Sequence, residues 1–356
     1  MASIYGEKLK VSIFGQSHSE AIGVCIDGFP AGFEIDTEEL SSFLSRRAPG
    51  SGAHTTSRKE ADCVKFISGV VDGVTCGSPI CAIIENTNTR SKDYENLREV
   101  PRPGHADYTA FVKYGFSHDI RGGGHFSGRL TACLCIAGGI CLQYLKKTKG
   151  VEIGAHVSEI SGVCDKAFDP MSPELSKVRK DLPIAVLDEA CGEKMMEEIL
   201  RAKQELDSVG GIVECAATGV PEGLGEPMFD GIENNIAKIV FGIPAVKGVE
   251  FGAGFAVAKM RGSENNDDFC IKDGKVSTKT NNHGGALGGI SSGLPIIFRA
   301  AIKPTPSIAR KQESVSLKKS ESSSLEIEGR HDPCIVPRAV PVMEAALAVA
   351  LCDMIL

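Results

Sequence analysis

The sequence predicts an α+β fold in which strands pair into antiparallel sheets. Two apolar runs at 64–71 and 79–85 are separated by a glycine-containing turn and indicate a hairpin. Further strands are predicted at 212–218, 254–260 and 294–302. Strands therefore follow one another in pairs and do not alternate strictly with helices. This order favours an α+β fold over a doubly wound parallel sheet.

Helical patterns separate and follow these strands. The first predicted helix begins after Asp36, whose carboxylate can accept backbone N–H groups, with Glu39 at the third helical position. A helix buried on all sides is predicted at 130–145, and an amphipathic one at 189–206 with Glu197 and Arg201 as an exposed pair. Apolar spacing marks two more helices, through Ile232, Ile236, Ile239 and Val240, and through Val340, Met343, Leu347, Leu351 and Met354.

We interpret residues 1–356 as a single domain. The chain is 42% apolar, which allows a substantial core, and no stretch has the composition of a linker between two domains. The segment SVSLKKSESSS at 314–324 is polar and low in complexity, which predicts an exposed loop. Two glycine-rich segments, GGGHFSG and HGGALGGISSG, suggest internal pseudo-symmetry.

The charge distribution favours a small anionic ligand. A net charge of −7 argues against nucleic acid as a partner, because such binding is driven by neutralising phosphates. Basic residues nevertheless gather in pairs, at Arg46 and Arg47, at Arg121 and Arg129, and at Arg330 and Arg338. Local positive clusters in an acidic protein suit a small anion better than a polyanion.

A cytoplasmic protein is predicted. The longest nearly apolar run, at 130–142, is shorter than the ~20 residues that a membrane-spanning helix needs, so no membrane association is expected. The thirteen cysteines lie mostly in apolar segments, which is typical of buried thiols in a reducing compartment. Cys133 and Cys135 diverge on a helix and have no histidine pair nearby, so we predict no metal site.

Several short motifs each contain a group suited to proton transfer or anion binding. GQSHSEAIG contributes His18 after a strand at 10–14, and RPGHADYT contributes His105. Two histidines at one site could supply a proton donor and an electrostatic partner for a leaving anion. KPTPS, at 303–307, offers hydroxyls and backbone N–H groups for phosphate oxygens. The segment GRHDPCIVPRAVP contains Asp332, which an arginine beside it could hold ionised.

The stretch DIRGGGHFSGRL leaves two interpretations open, a flexible turn or a backbone loop that approaches an anionic ligand. Arg46 and Arg47 are equally ambiguous, because cations near a helix C-terminus also stabilise the helix dipole. From the residues alone, the chain has a concave site rich in Arg, Lys, His and Gly. That site suits a phosphorylated or carboxylated small molecule.

Many of these segments together resemble one family. They include GQSHSEAIGVCIDGFPAG, NTNTRSKDY, RPGHADYTAFVKYG, RGGG, DSVGGIVE, GVPEGLGEP, IPAVKGVEFGAGF, RGSENND, GGALGGISSG, KPTPSI and GRHDPCIVPRAVPVMEA. In this order, from Gly6 to the C-terminus, the chain resembles chorismate synthase. The resemblance implies a β-α-β sandwich, with helices between two antiparallel sheets, and a homotetramer. It also implies a lyase reaction, the 1,4-anti elimination of phosphate from 5-enolpyruvylshikimate 3-phosphate to give chorismate, which requires reduced FMN without net redox change.

The same resemblance implies roles for single residues. His18 would protonate the departing phosphate, His105 would stabilise or protonate the reduced flavin, and Asp332 would help to remove the C6 proton by way of the flavin. Arg46, Arg47 and Arg129 would bind substrate or NADPH, the latter as a possible reductant. The flavin would contact Gly124, His125, Phe126, Ser127, Pro244, Ala245, Gly288, Lys303, Pro304, Thr305, Pro306, Ser307 and Arg330.

The chain departs from the family pattern beside the triple glycine. His125 and Phe126 stand where the family often has Arg and Ser, and an imidazole lacks the permanent charge and five-donor fork of a guanidinium. We therefore expect His125 to line the pocket and not to transfer protons. Two other functions remain open alternatives, a flavin-dependent reductase acting on a phosphorylated substrate and a phosphate- or RNA-binding module. No long insertion suggests an added reductase module, which favours the monofunctional type.

Overall fold

The computed structural model describes residues 3–49, 62–86, 96–327 and 332–356. The N-terminal half forms a five-stranded antiparallel sheet in the order β1-β2-β3-β7-β4. Its strands are β1 (Ile4–Tyr5), β2 (Lys10–Gly15), β3 (Ala21–Asp27), β4 (Lys65–Ser68) and β7 (Ile80–Glu85). Two short strands, β5 (Val70–Val71) and β6 (Val74–Thr75), pair with each other.

The C-terminal half forms a second five-stranded antiparallel sheet in the order β11-β16-β10-β8-β9. Its strands are β8 (Glu152–Ile160), β9 (Val163–Cys164), β10 (Gly211–Thr218), β11 (Val246–Phe251) and β16 (Ile296–Ile302). Three hairpins extend from this half: β12 (Phe269–Lys272) with β13 (Lys275–Thr278), β14 (Ala286–Leu287) with β15 (Ile290–Ser291), and β17 (Gln312–Ser316) with β18 (Glu321–Leu325).

Two long helices fill the space between the sheets. The helices are α1 (Thr37–Ser45), α2 (Asp107–Tyr114), α3 (Thr131–Lys149), α4 (Glu189–Gln204), α5 (Ile232–Phe241), α6 (Gly262–Asn265) and α7 (Val336–Ile355). Helix α3 packs on the first sheet, α7 packs on the second, and the two helices pack on each other. This arrangement confirms the predicted sandwich of helices between antiparallel sheets.

A glycine lets the two central helices approach closely. A Cβ atom at Gly138 of α3 would lie 2.3 Å from both Cα and Cβ of Ala345 on α7. Because two small residues face each other here, the helix backbones come together and their other side chains fill the layers on either side. By length and composition the stretch Gly128–Lys149 could cross a membrane, but 78% of its most apolar window is buried inside the protein. It is therefore the core helix that the sequence predicted.

The two halves repeat one topology. In each half, two paired strands lead to a helix, two further strands follow, and a long helix ends the unit. The order β2-β3-β7-β4 in the first sheet corresponds to β8-β10-β16-β11 in the second, with α1 matching α5 and α3 matching α7. The internal pseudo-symmetry is therefore a repeat of the strand order. The two glycine-rich segments that suggested it do not occupy corresponding positions in the two halves, because one precedes α3 and the other precedes β16.

Helix boundaries follow the local signals in the sequence. Asp36 caps α1, because its Oδ1 accepts hydrogen bonds from the N–H groups of Glu38 and Glu39 at 3.0 and 2.9 Å. The other four predicted helices correspond to α3, α4, α5 and α7. On α4 the predicted pair was wrong in its partner, since Arg201 binds Glu198 and not Glu197.

Two predicted segments have a different structure. Residues 254–260 were predicted as a strand, but Gly254–Lys259 is a 3-10 helix that follows the true strand β11. Here Phe255 is 81% exposed, so the apolar pattern that indicated a strand does not point into the core. Residues 314–324 were predicted as a loop, but they form the hairpin β17–β18, in which Ser314 pairs with Ser323. Cross-strand pairing overrides the weak β-propensity of serine there.

A buried histidine fastens the second sheet to the segment that follows β9. His156 is fully buried; its Nδ1 donates to Oδ2 of Asp165 and its Nε2 to Oε2 of Glu214, both at 3.0 Å. Both contacts join a ring nitrogen to a carboxyl oxygen, an arrangement that favours the imidazolium form of the ring. Burial lowers the pKa of His156, but the bonds to Asp165 and Glu214 outweigh it and raise the pKa above its usual value.

Replacing His156 with Gln is expected to lower the free energy of unfolding by about 3 kcal/mol near neutral pH, because the carboxylates lose a buried counterion. Since the folded-state pKa is raised, this stabilisation is complete below the unfolded pKa of about 6.5 and is lost as pH rises through the folded pKa. Urea unfolding of the wild type and of His156→Gln across a pH series measures the difference in their free energies of unfolding. A difference that grew with rising pH would contradict the prediction.

Candidate active site

The triple glycine forms a turn between two histidines. Gly122, Gly123 and Gly124 have φ values of 58°, 84° and 57°, in the left-handed region that favours glycine. A Cβ atom at Gly122 would lie 2.4 Å from Cε1 of His18, and one at Gly123 would lie 3.2 Å from Nε2 of His105. Glycine is therefore required here both by backbone conformation and by the space that the two imidazoles occupy.

The turn borders a cavity of about 650 Å³, a size typical of small-molecule sites. Its polar lining comes from both halves of the chain and consists of Ser17, Arg47, Arg102, His105, His125, Ser127, Arg129, Thr131, Lys247, Lys303, Thr305, Ser307, Asp332 and Arg338. The large apolar side chains in the lining are those of Phe126, Phe241, Ile243, Pro244, Val246, Ile335 and Val342. The cavity can thus bind a ligand that combines anionic groups with an apolar ring.

His105 is oriented by a carboxylate. Its Nδ1 donates to Oδ1 of Asp107 at 2.6 Å. Asp107 in turn accepts from Arg102, at 2.7 Å from Nε and 2.8 Å from Nη2, and Nη1 of Arg102 donates to Oγ of Ser307. Nδ1 faces Asp107, which accepts its proton, and the other ring nitrogen, Nε2, faces Gly123 of the turn. The charge of Arg102 is therefore paired with the carboxylate of Asp107.

The surroundings of His105 keep its ring neutral. Burial lowers the pKa of His105, and the positive charges of Arg102 and Lys303 lower it further, against the opposing effect of Asp107. For Asp107, burial raises the pKa, but the hydrogen bonds from Arg102 and His105 outweigh it and bring the pKa well below the usual value. The pair is therefore a carboxylate with a neutral imidazole, and a bound anion near Nε2 would favour the imidazolium.

Two arginines of the cavity share one carboxylate. Arg47 donates to Oδ2 of Asp62 from Nε at 3.1 Å and from Nη2 at 2.6 Å. Arg129 donates from Nη1 to Oδ1 of the same residue and from Nε to Oδ1 of Asn86 at 3.3 Å. Burial raises the pKa of Asp62, but the two guanidiniums more than offset this and lower it. Asp62 is therefore ionised between two cations.

A third arginine extends this cluster to Asp332. Nε of Arg338 donates to the backbone oxygen of Arg47 at 2.9 Å, and its Nη1 forms an ion pair with Oδ2 of Asp332. Burial lowers the pKa of Arg338, and the Asp332 carboxylate opposes that effect. As the sequence suggested, an arginine is the counterion of Asp332, and that arginine is Arg338.

The segment at 303–307 contributes a lysine and hydroxyl groups. Nζ of Lys303 donates to the backbone oxygen of Gly104, and its backbone N–H donates to the oxygen of Ala245 at 3.0 Å. Ala245 has a φ of 77°, a strained value for a residue with a Cβ. Oγ1 of Thr305 is buried and has no hydrogen-bond partner within the described part of the chain. A buried hydroxyl without a partner at a cavity wall indicates a ligand group.

The structure brings most of the predicted site residues to this cavity. Lining residues among them are His105, His125, Phe126, Ser127, Pro244, Ala245, Lys303, Thr305, Pro306, Ser307, Asp332, Arg47 and Arg129. His18 and Gly124 are not among the lining residues: Gly124 is the last glycine of the turn, and His18 contacts Gly122, which lines the cavity together with Ser17. Arg330 lies outside the described residues.

Three further predicted site residues are not among those that line the cavity. Gly288 is in the exposed turn between β14 and β15, and Pro304 is exposed. Arg46 follows α1 and donates to Glu344 at 2.5 and 3.2 Å, so its charge is neutralised in the protein interior. Of the adjacent arginines, Arg47 is thus the cavity residue, and neither is in the last turn of α1.

His125 is bonded within the protein. Its Nδ1 donates to the backbone oxygen of Gly15 at 2.8 Å, and its Nε2 lies 2.6 Å from Oγ of Ser3, from which it can accept. Both nitrogens are thus engaged by the N-terminal strands, although the residue lines the cavity. His125 therefore lines the cavity with both ring nitrogens bonded within the protein; that it does not transfer protons stays a prediction.

Sequence reasoning missed Asp62, Asn86 and Lys247. Nothing adjacent in sequence to Asp62 marks it as the partner of Arg47 and Arg129. Lys247 could have been predicted from the sequence, because it belongs to IPAVKGVEFGAGF, one of the segments on which the family resemblance rests. Asp107 lies in the RPGHADYT motif, two residues after His105, and bonds Nδ1 of that ring.

The fold and the site define an α+β enzyme with a cavity rich in cationic side chains. The family model for chorismate synthase matches residues 9–356, and the chain therefore belongs to the chorismate synthase family. It is 49% identical to the chorismate synthase of Lancefieldella parvula, covering 99% of this chain and 96% of the relative. Identity to that of Korarchaeum cryptofilum is 47%, covering 99% and 97%. A crystal structure of chorismate synthase superposes with a TM-score of 0.78 at 28% identity, covering 98% of this chain and 92% of the other.

Proposed function

We propose that this chain converts 5-enolpyruvylshikimate 3-phosphate to chorismate by eliminating phosphate, with reduced FMN bound in the same cavity. The observation that carries the proposal is the excess of positive charge there. Six cationic side chains, Arg47, Arg102, Arg129, Arg338, Lys247 and Lys303, line the cavity. Three carboxylates, of Asp62, Asp107 and Asp332, pair with four of these cations. The remaining excess matches a substrate with two carboxylates and a phosphate.

The residues around the cavity fit reduced FMN. The apolar lining residues, among them Phe126 and Pro244, suit a planar ring, and the glycine turn lets a ligand approach the backbone. Lys303, Thr305 and Ser307 would hold the phosphate, because the Thr305 hydroxyl is buried without a partner in the described chain. When bound, the reduced cofactor would supply electron density to the substrate transiently, without net oxidation or reduction.

Three residues are assigned to proton transfer. His18 lies directly behind Gly122 of the cavity wall, and we assign to it the proton that the departing phosphate takes up. His105, with Nδ1 fixed by Asp107, holds or donates a proton at Nε2 where negative charge is present. Asp332 is ion-paired with Arg338, which supports a role in accepting the proton lost from C6. Arg47 and Arg129 bind the anionic groups of the substrate.

We propose that the chain assembles into a homotetramer, as the family resemblance implies. Six large apolar side chains in the 228–276 stretch are each at least two-thirds exposed: Met228, Phe229, Phe255, Phe269, Ile271 and Val276. Exposed large apolar residues are typical of surfaces that become buried between subunits, which supports association of the chain with further copies. One buried apolar cluster contains residues from Leu9 to Cys352, which supports the interpretation of the chain as a single domain.

The thirteen cysteines form no disulfide, which is compatible with the cytoplasm.

An anaerobic assay with 5-enolpyruvylshikimate 3-phosphate and reduced FMN tests the proposed function. We expect chorismate and phosphate in equal amounts, with no stoichiometric loss of reduced flavin. Absence of both products would overturn the proposal. Oxidation of reduced FMN or NADPH in proportion to product would instead indicate a reductase. Repeating the assay with oxidised FMN and NADPH asks whether the chain reduces its own flavin; we expect it to need an external reductant.

A further inference from the structure

Asp62 lies at the centre of a buried group of three charges. Its Oδ2 accepts from Arg47 and its Oδ1 accepts from Arg129, so each oxygen of one carboxylate binds a different guanidinium. The side chains of Arg47 and Asp62 are each 2% exposed, and that of Arg129 is 5% exposed. Bonds between charged groups that are sheltered from water are stronger and better defined in geometry than those at a surface.

The carboxylate lies behind the two arginines with respect to the cavity. Arg47 and Arg129 line the cavity, whereas Asp62 is not among the lining residues. Two further contacts fix the pair from other sides: Asn86 accepts from Nε of Arg129, and Arg338 donates to the backbone oxygen of Arg47. Two guanidiniums this close would repel each other without the shared anion. The Asp62 carboxylate is bonded to both guanidiniums and offsets that repulsion.

We propose that Asp62 is a positioning residue, whose carboxylate holds Arg47 and Arg129 at the spacing at which they bind an anionic group of the substrate. The inference rests on the proposed function, because it concerns the substrate of that same cavity. With Asp62 present, the arginines are arranged before the substrate arrives, and binding does not have to bring two like charges together. Without Asp62, the substrate itself must bring Arg47 and Arg129 together, and part of its binding energy is lost in doing so.

Replacement of Asp62 with Asn tests this role. Asn keeps the size and one acceptor oxygen but removes the charge, so we expect KM for the substrate to rise about tenfold or more. We expect kcat at saturating substrate to change by less than about threefold, since the bound substrate itself restores the arginine pair. A fall in kcat with unchanged KM would overturn the proposal, because a merely structural role lowers the amount of active enzyme without altering KM.

Chemical rescue provides a second measurement. In Asp62→Ala the truncated side chain leaves space beside the arginines, which formate can occupy with two carboxylate oxygens. We expect added formate to lower the KM of this variant, and formamide, which has similar size but no charge, to leave it unchanged. Failure of formate to lower KM in a variant with the melting temperature of the wild type would overturn the proposal. Equal rescue by formamide would also overturn it.

A matched control separates local from general effects. Asp181 also pairs with an arginine, Arg179, but at the exposed surface and away from the residues that line the cavity. Asp181→Asn should therefore leave KM and kcat unchanged; a comparable rise in KM there would count against Asp62. The wild-type protein in the same assay reports on the proposed function itself. If it forms no chorismate, the proposed function has failed, whereas normal wild-type turnover with an unaltered Asp62→Asn variant rejects only this inference.

Discussion

His105→Ala is expected to remain folded and to lose turnover by about 10²- to 10⁴-fold, the usual contribution of a positioned proton-transfer group. The loss follows from the geometry of the ring. Nδ1 is held by Asp107 at 2.6 Å, so Nε2 is available to a ligand in the cavity that His105 lines. Alanine removes that nitrogen without leaving a charged group buried in its place, since the imidazole is neutral. The measurements are kcat and KM in the anaerobic assay, with circular dichroism to verify folding.

His118→Ala is the control for His105. It lies thirteen residues further along the chain, its Nδ1 bonds only to the backbone oxygen of Gly115 in the described structure, and it does not line the cavity. We expect its turnover to stay near that of the wild type. Wild-type rates in His105→Ala would remove His105 from the mechanism.

Asp107→Asn provides the electrostatic counterpart of this prediction. Among the influences on His105, burial lowers the pKa most, while the carboxylate of Asp107 raises it. Removing that carboxylate should therefore shift the pKa of His105 further down, and NMR titration of the ligand-free protein measures the shift. We also expect the pKa in the wild type to lie below 6.5 and to rise when phosphate is added. An upward shift in Asp107→Asn would contradict the assigned orientation of the ring.

Gly122→Ala is expected to lower the free energy of unfolding by roughly 2–4 kcal/mol and to reduce turnover by about 100-fold. Part of the cost is the left-handed backbone, with φ 58° and ψ 20°, which costs an alanine about 1–2 kcal/mol. The rest arises because the new Cβ would lie 2.4 Å from Cε1 of His18 and 2.7 Å from Oγ of Ser17, so that the ring must move. Displacing an aligned group by about 1 Å can reduce the rate 100-fold.

Gly150→Ala separates the two causes. Gly150 ends α3 with φ 69° and ψ 17°, almost the same conformation as Gly122, but a Cβ there would meet no heavy atom within 4 Å. It should show the backbone cost of about 1–2 kcal/mol and normal turnover. Urea unfolding and kcat/KM are measured for both variants. If they were equally active, the packing of the turn against His18 would have no part in catalysis.

The comparison of sequence with structure is clearest at the histidines. The sequence singled out His18, which follows a predicted strand, and His105, which follows a Pro-Gly pair, because each lies in a motif with other polar groups. It could not place them on either side of one glycine turn, because they are 87 residues apart and meet only when β2 and the loop before α2 pack together. The role predicted for His125 stays a prediction, and its partners Ser3 and Gly15 could be found only from the fold.

The adjacent arginines illustrate the limit of local reasoning. Arg46 and Arg47 are equivalent by type and almost so by position, and the sequence left helix capping and ligand binding open for both. In the structure Arg46 binds the buried Glu344 of α7, and Arg47 binds Asp62 at the cavity. Which arginine reaches the cavity depends on the direction in which the backbone just after α1 presents each side chain, and periodicity alone does not determine that direction.

The sequence by itself determined the elements that depend on neighbouring residues: the Asp36 cap, the apolar helices, the paired strands and the family. Capping hydrogen bonds and the periodic burial of side chains involve residues that are close in sequence, so the helices and strands that depend on them can be predicted without the fold. Only the tertiary structure decided that Asp62 joins Arg47 to Arg129, that Asp107 orients His105, and that the repeat lies in the strand order. Electrostatic pairing acts between groups that are close in space, and packing of two sheets on α3 and α7 sets those distances.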